Sequence, residues 1–166
     1  MQADTPILEP AVPPIAATVP RGCTNFKLRQ LMRRLAHHYD VEMAKCGLKT
    51  TQYSLLSHAL NLGPIRPSDL AAAMKMDAST LTRNLRPLVD AGWVTLEAGA
   101  DARSRLVHIT DAGRDKRADA LRHWKTAQVA LNNALGVERV MALHSLVDDS
   151  LALLAALPEQ EAGDGE

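Results

Sequence analysis

Six polar side chains near the middle of the chain have the chemistry of nucleic-acid recognition. They are Ser79, Thr80, Thr82, Arg83, Asn84 and Arg86. At about 100° per residue, Ser79, Arg83 and Arg86 share one side of a helix, and the other three lie at its margins. Hydroxyls, amides and guanidinium groups bond base edges and phosphates in a major groove. A solvated helix face has the same composition, so the neighbouring elements must decide between the two.

The opposite side of this helix is apolar, and a shorter helix precedes it. Leu81, Leu85 and Leu88 recur at i, i+4 and i+7, and Asp77 or Ser79 is a suitable N-cap. Pro67 suits the first position of the preceding helix, which extends to about Met74. The pattern predicts a helix-turn-helix whose second helix buries its leucines and exposes its polar side chains.

A β-hairpin is predicted directly after this helix. Gly92 ends the helix, and the β-prone runs 93–96 and 106–109 are predicted as two strands. The tip between these runs contains the eight residues EAGADARS (97–104), which is more than a tight hairpin requires. Two short helices followed by a hairpin constitute a winged helix-turn-helix, so the fold is predicted to be mainly α with a small β-hairpin wing.

Charged residues around the module are predicted to hold nucleic acid. Arg103 and Arg105 on the wing are positioned to enter a minor groove, and Asp101 is placed to hold the tip in shape. Arg66 and Lys75, together with Arg86, are predicted to contact phosphates.

The sequence resembles the MarR-type transcription regulators. The resemblance rests on LTRNLRPLVDAGWV (residues 81–94), on Asp101-Ala102-Arg103-Ser104 and on Ile109-Thr110-Asp111-Ala112-Gly113, and it extends more weakly from about Thr24 to Leu157. It implies a homodimeric repressor that binds a palindromic operator and is released by a small molecule. Pro87 departs from a regular recognition helix, because it lacks a donor and is expected to bend the axis or release the carbonyl of Arg83.

The chain divides into four parts. Residues 1–21 contain five prolines and are expected to be a disordered or loosely packed arm. Residues 22–47 and 114–157 are predicted as a helical dimerisation region, 48–113 as the winged domain and 158–166 as a disordered acidic tail.

The terminal helices each carry an apolar stripe and need a partner to cover it. A homodimer covers the stripe and places two recognition helices about one DNA turn (~34 Å) apart. The alternative is a monomeric helical bundle with a small winged appendage.

Charge is balanced, with 19 basic and 19 acidic residues among 166. Residues 64–110 hold six basic and five acidic residues, so affinity for DNA must come from placement and from two copies of the module. This near-neutral segment also permits a protein–protein adaptor that keeps the fold without binding DNA. We find neither an apolar run of membrane-spanning length nor a leader pattern, and we expect a cytoplasmic protein.

No enzymatic motif is recognisable. GxSxG, P-loop, HExxH and CxxC patterns are absent from the sequence, so neither catalysis nor a cofactor is predicted. The chain has six histidines, and we expect none to share a helix face with a second ligand four residues away. No metal site is therefore predicted.

The resemblance also implies a sensor. A small-molecule pocket is expected between the dimerisation helices and the winged domain, and an aromatic carboxylate would suit its cationic and tyrosine-bearing walls. Its candidate residues are Arg34, His37, His38, Tyr39, Tyr53, His58, His123 and Trp124. The alternative is peroxide sensing through Cys23, near the start of the first helix, although the chain has only two tyrosines to hold such a thiol. Cys46 is expected to be a packing residue.

Overall fold

The structure, a computed structural model, describes residues 21–99 and 105–156. Its elements are α1 (Thr24–Met43), a 3₁₀ turn (Ala44–Cys46), α2 (Thr50–Leu62), α3 (Pro67–Ala73), α4 (Ala78–Asp90), β1 (Val94–Ala98), β2 (Arg105–Ile109), α5 (Asp111–Leu135) and α6 (Val137–Ala155). This order confirms the predicted mainly α fold with a two-stranded wing. No helix within these ranges is both long enough and apolar enough to cross a membrane. The predictions for residues 1–20 and 157–166 lie outside the described residues.

The wing is an antiparallel ladder that runs from Val94 opposite Ile109 to Ala98 opposite Arg105. Its first strand begins one residue later than the predicted run and ends two residues later, because backbone pairing continues over the exposed Glu97 and Ala98. Residues 99–104 separate the strands, so the tip is six residues long and not eight.

A further backbone bridge, which the sequence did not predict, ties the wing to the start of α3. Val107 N–H donates to the Ile65 carbonyl at 2.8 Å, and Ile65 N–H donates to the Val107 carbonyl at 3.3 Å. Because Ile65 directly precedes the helix-turn-helix, this bridge sets the wing beside α3 and α4.

The core of the chain lies beneath the helix-turn-helix. Leu81, Leu85 and Leu88 of α4 are 1%, 4% and 0% exposed. They pack in one cluster with buried residues of α2, α3 and both strands and with Ala120 of α5. Full burial of a leucine side chain stabilises a fold by about 1.5–3 kcal/mol. The apolar face of α4 is therefore fixed by the core, and its other face is left for a ligand.

The junction between α4, the wing and α5 is closed by backbone groups. Gly92 adopts φ 70° after α4; its N–H donates to the Val89 carbonyl, and the next N–H, of Trp93, donates to the Leu88 carbonyl, both at 2.9 Å. Thr110 caps α5 by accepting from Gly113 N–H at 3.0 Å and donates to the Gly92 carbonyl at 2.8 Å. A Cβ on Gly113 would overlap the Trp93 carbonyl oxygen.

The connection between α1 and α2 is held by a side chain of α1. Helix α1 ends at Met43, and the chain turns through the 3₁₀ segment and Gly47 at φ 69°. Lys49 occupies the N-cap position of α2, which begins at Thr50. Asp40 of α1 accepts from Thr50 N–H at 2.8 Å and from its hydroxyl at 2.7 Å. A carboxylate from another helix thus satisfies the first turn of α2.

Helices α1 and α6 expose large apolar side chains. On α1 these are Phe26, Leu28, Met32 and Val41, and on α6 they are Val137, Met141, Leu146, Val147, Leu151, Leu153 and Leu154. Their exposed fractions run from 42% for Val147 to 72% for Leu153. Much of the apolar surface of α1 and α6 is therefore left uncovered within the described part of the chain.

Candidate nucleic-acid interface

The polar face of α4 lies opposite its buried leucines, as the helical period requires. Ser79, Thr82, Arg83 and Arg86 are exposed, and Thr80 and Asn84 are partly buried at the margins. The six residues therefore form one surface strip, and the core beneath it fixes its orientation.

Two arginines on this strip retain most of their donors. Arg83 Nε donates to the Ser79 carbonyl at 3.3 Å, and the terminal guanidinium nitrogens have no hydrogen-bond partner among the described residues. Arg86 Nε lies 3.9 Å from an Asp90 carboxylate oxygen, and both side chains are exposed. Such an exposed pair is weak, so it does not prevent Arg86 from binding a phosphate.

Pro87 lies inside α4, and the helix continues to Asp90. Proline has no N–H, so the Arg83 carbonyl lacks its usual donor from residue 87. Pro87 is exposed, where water can reach that carbonyl. The proline is thus compatible with a recognition helix of this length.

Arg66 and Lys75 lie at the two ends of α3. Arg66 occupies the N-cap position, and Lys75 lies in the turn before α4 with φ 53°. Lys75 N–H donates to the Ala72 carbonyl at 3.1 Å, and Met76 N–H donates to the Ala71 carbonyl at 3.0 Å. These bonds hold Lys75 in a left-handed conformation, and both cationic side chains are exposed.

On the wing, Arg105 is the first residue of β2 and is exposed. It lies opposite Ala98 at the tip end of the ladder. Asp101 and Arg103 lie outside the described residues, so their roles remain predictions from the sequence.

The eight candidate effector residues do not line one cavity. Arg34, His37 and His38 line a cleft of about 400 Å³ between α1 and α5. His38 Nε2 donates to the Ala127 carbonyl at 2.8 Å, which fixes the ring against α5. Tyr39 lines a different, largely apolar cavity, also about 400 Å³, between α1, α5 and α6.

The remaining candidates make contacts inside the fold. Tyr53 is buried and stacks on Trp124 with ring centroids 6.2 Å apart. His58 Nδ1 donates to the Ser54 carbonyl at 2.8 Å, and His123 Nδ1 lies 3.1 Å from a Glu42 carboxylate oxygen.

Two side chains of α1 have shifted pKa values. The hydrogen bond from Lys45, and next the one from His123, lowers the pKa of Glu42. Burial raises the pKa of Tyr39, whose hydroxyl donates to Gln128 Oε1 at 2.5 Å. Tyr39 therefore faces its cavity as a neutral phenol.

The cysteines lie in different surroundings. Cys23 is exposed at the N-cap position of α1, and Cys46 is buried. Asp119, for which no role is predicted from the sequence, lies four residues before His123 on α5, and both lie beside Cys46. This corrects the expectation that no histidine shares a helix face with a second ligand; the i, i+4 spacing was a signal that could have revealed it.

Comparison with known proteins places residues 48–104 in a match to the MarR family model. The chain is 28% identical over 90 residues to an uncharacterized HTH-type transcriptional regulator of Bacillus subtilis, YwoH; the match covers 54% of this chain and 66% of that protein, just under two thirds. It is 30% identical to the M. tuberculosis transcriptional regulator MosR in complex with DNA, with a TM-score of 0.64 over 78% of this chain and 98% of that one. A probable transcriptional regulator from Pseudomonas aeruginosa is 25% identical, with a TM-score of 0.70 over 76% and 95% of the two chains. All three are named as transcriptional regulators, one of them as a probable one.

Proposed function

Because the chain belongs to the MarR family of transcription regulators, we propose that it represses transcription by binding a palindromic operator as a homodimer, and that a small molecule releases it. Its target is chromosomal DNA, so the proposal places it in the cytoplasm. The observation that carries the proposal is the two-sided helix α4, with one face sealed in the core and the other exposing Arg83 and Arg86 beside hydroxyl groups.

The chemistry of each side chain assigns it to the bases, the phosphates or the minor groove of the DNA. Arg83, with Ser79, Thr80, Thr82 and Asn84, faces the bases of the major groove. Arg86, Arg66 and Lys75 hold phosphates, and Arg105 follows the wing into the adjacent minor groove together with Arg103. The same assignment fits a near-neutral module, because few cations are needed when each is placed against the DNA.

A second copy of the chain is the proposed cover for α1 and α6. Each exposes a row of large apolar side chains that one chain leaves in water. Joining two chains there buries these side chains and presents two α4 helices about one DNA turn (~34 Å) apart. The two modules then read a palindrome, since the symmetry of the protein matches that of the site.

The proposed effector is an aromatic carboxylate held in the cleft of Arg34, His37 and His38. The guanidinium of Arg34 is exposed on α1 and can bind a carboxylate with two parallel hydrogen bonds. The ligand lies between α1 and α5, the helix that leads from the wing into the dimerisation region. It releases DNA only if it binds the DNA-free arrangement more tightly.

Paired arginine variants test the DNA contacts. Arg83→Ala should cost about 1–3 kcal/mol of operator binding and reduce discrimination between operator and mutated operators. Arg86→Ala, one turn along the same helix, should weaken binding to all duplexes alike and reduce the log–log salt slope by about one. Fluorescence anisotropy on the operator and on a scrambled duplex, at several salt concentrations, measures both.

The wild-type chain supplies the control. If it binds the DNA upstream of its own gene no more tightly than the scrambled duplex, the protein is not a sequence-specific regulator, and the adaptor alternative gains. Equal loss on all sequences in Arg83→Ala would reassign Arg83 to a phosphate.

Salicylate, as a simple aromatic carboxylate, tests the sensor in buffer containing a reductant. Release of the operator by salicylate that disappears in Arg34→Gln and persists in the matched variant Arg33→Gln supports the cleft. Release by peroxide that Cys23→Ser abolishes would support the thiol alternative instead, because Cys23 is exposed at the start of α1.

A further inference from the structure

We propose that Cys46, Asp119 and His123 form a binding site for a divalent transition-metal ion of the zinc class. One ligand atom from each residue, a thiol sulfur, a carboxylate oxygen and a ring nitrogen, lies within 4.8 Å of the other two. Cys46 lies on another element and more than 70 residues before Asp119 and His123 in the sequence, so the fold brings the thiol to the other two ligands.

Two rigid elements hold the three side chains. Cys46 ends the 3₁₀ turn after α1 and is 6% exposed. Asp119 and His123 occupy positions i and i+4 on α5, which places them on one face of the helix. Helix α5 packs against both α1 and the 3₁₀ turn. The cluster therefore bridges the end of the first helix and the middle of the fifth.

The donor set selects the class of ion. Thiolate and imidazole favour zinc and similar transition metals, whereas magnesium and calcium prefer all-oxygen sites. A tetrahedral zinc ion bound at about 2.0–2.3 Å holds its ligand atoms roughly 3.5 Å apart. The separations between ligand atoms, at most 4.8 Å, need to shrink by up to about 1.3 Å, which side-chain rotation supplies. Three protein ligands leave the fourth position for water.

The surroundings favour an ion there. Glu42 lies 3.1 Å from His123 Nδ1, and a carboxylate beside a histidine ring is the usual partner that orients a metal-bound imidazole. Two contacts must give way. Cys46 Sγ donates to the Met43 carbonyl at 3.0 Å, and Asp119 pairs with Arg122 at 2.7 Å. The arginine pair is exposed and therefore weak.

Helix α6 provides an internal comparison. His144 and Asp148 have the same i, i+4 spacing, but no cysteine or third ligand completes a cluster with them within the described ranges. Cys23 is likewise an exposed thiol outside the cluster. Each proposed ligand thus has a matched control in the same chain.

Cobalt titration of the full chain, in a reductant that does not chelate metals, tests the site without any DNA. We expect one Co²⁺ per chain with a thiolate-to-cobalt charge-transfer band in the near ultraviolet. The band should vanish in Cys46→Ser and remain in Cys23→Ser. Absence of the band from the wild-type chain, or its loss in Cys23→Ser, overturns the proposal.

Zinc competition against a chromophoric chelator provides a second measurement. His123→Gln and Asp119→Asn should each weaken zinc binding by at least about tenfold, whereas His144→Gln should leave it unchanged. Zinc should also raise the melting temperature of the wild-type chain and not that of His123→Gln, because an ion that binds only the folded state stabilises it. Because His123 is partly exposed, its variant carries the test if Cys46→Ser fails to fold. Equal weakening by His123→Gln and His144→Gln contradicts the assignment.

Discussion

The winged module buries its large apolar side chains, whereas the terminal helix α6 leaves many of its own exposed. Leu55, Leu70 and Leu88 of the module are 0% exposed, whereas Leu146 and Leu153 of α6 are 65% and 72% exposed. The buried cluster beneath α4 contains Met43 at the end of α1, and none of its members in the described ranges lies on α6.

This difference separates folding from assembly. The module buries its leucines within one chain, so its α4 surface is formed before any partner arrives. The terminal helices gain comparable burial only against a second surface, so their stability depends on protein concentration. A substitution in the winged module should therefore change the stability of the fold, whereas one in the terminal helices should change the oligomeric state.

The largest effect should come from charging the exposed face of α6. Leu151→Lys/Leu154→Lys places two cations where the second copy is proposed to pack, and these side chains are 61% and 63% exposed in one chain. Separated chains lose the advantage of binding both half-sites at once, which is worth about 10²–10⁴-fold in affinity. Sedimentation should show a single chain, and anisotropy should show the loss on the operator.

Ser145→Lys/Ala152→Lys provides the control, because it adds the same two charges on the stripe of α6 that also carries Asp149. It should remain a dimer and bind the operator normally. A Leu151→Lys/Leu154→Lys protein that stays dimeric would mean that α6 is not the interface.

A leucine truncated in each region gives the next largest effect. In the monomeric Leu151→Lys/Leu154→Lys protein, Leu88→Ala should lower the free energy of unfolding by about 2–5 kcal/mol, because it leaves a cavity in a packed core. Leu146→Ala on the same background should change it by less than about 0.5 kcal/mol, as expected for an exposed site. Urea denaturation measures both, and equal costs would remove the distinction between the regions.

The module was predictable because its signals are local. Leucine spacing predicts the buried face of α4, Pro67 predicts the start of α3, and Gly92 predicts the end of α4. Each depends on residues within a few positions of one another, which helical geometry relates directly.

Contacts between distant segments carried no such signal. The Ile65–Val107 bridge and the Asp40 cap on Thr50 join residues whose approach depends on the packing of whole elements. The sensor residues show the same limit. Tyr53 is a residue type suited to a pocket wall, but it lies in the core and stacks on Trp124, because α2 packs against α5 there.

Gly113 joins the two regions, and its substitution gives the smallest of the three effects. A Cβ there would overlap the Trp93 carbonyl oxygen, a backbone atom that cannot rotate away. Gly113→Ala should therefore cost about 2–3 kcal/mol of unfolding free energy. Gly92→Ala, at φ 70° with no atom within 4 Å of its Cβ, should cost only about 1 kcal/mol of backbone strain. Urea denaturation of both glycine variants, made in the monomeric Leu151→Lys/Leu154→Lys protein, compares their unfolding free energies. If Gly113→Ala costs less unfolding free energy than Gly92→Ala, then α5 can move away from the wing without disturbing the core. In that case α5 is not part of the folded winged module.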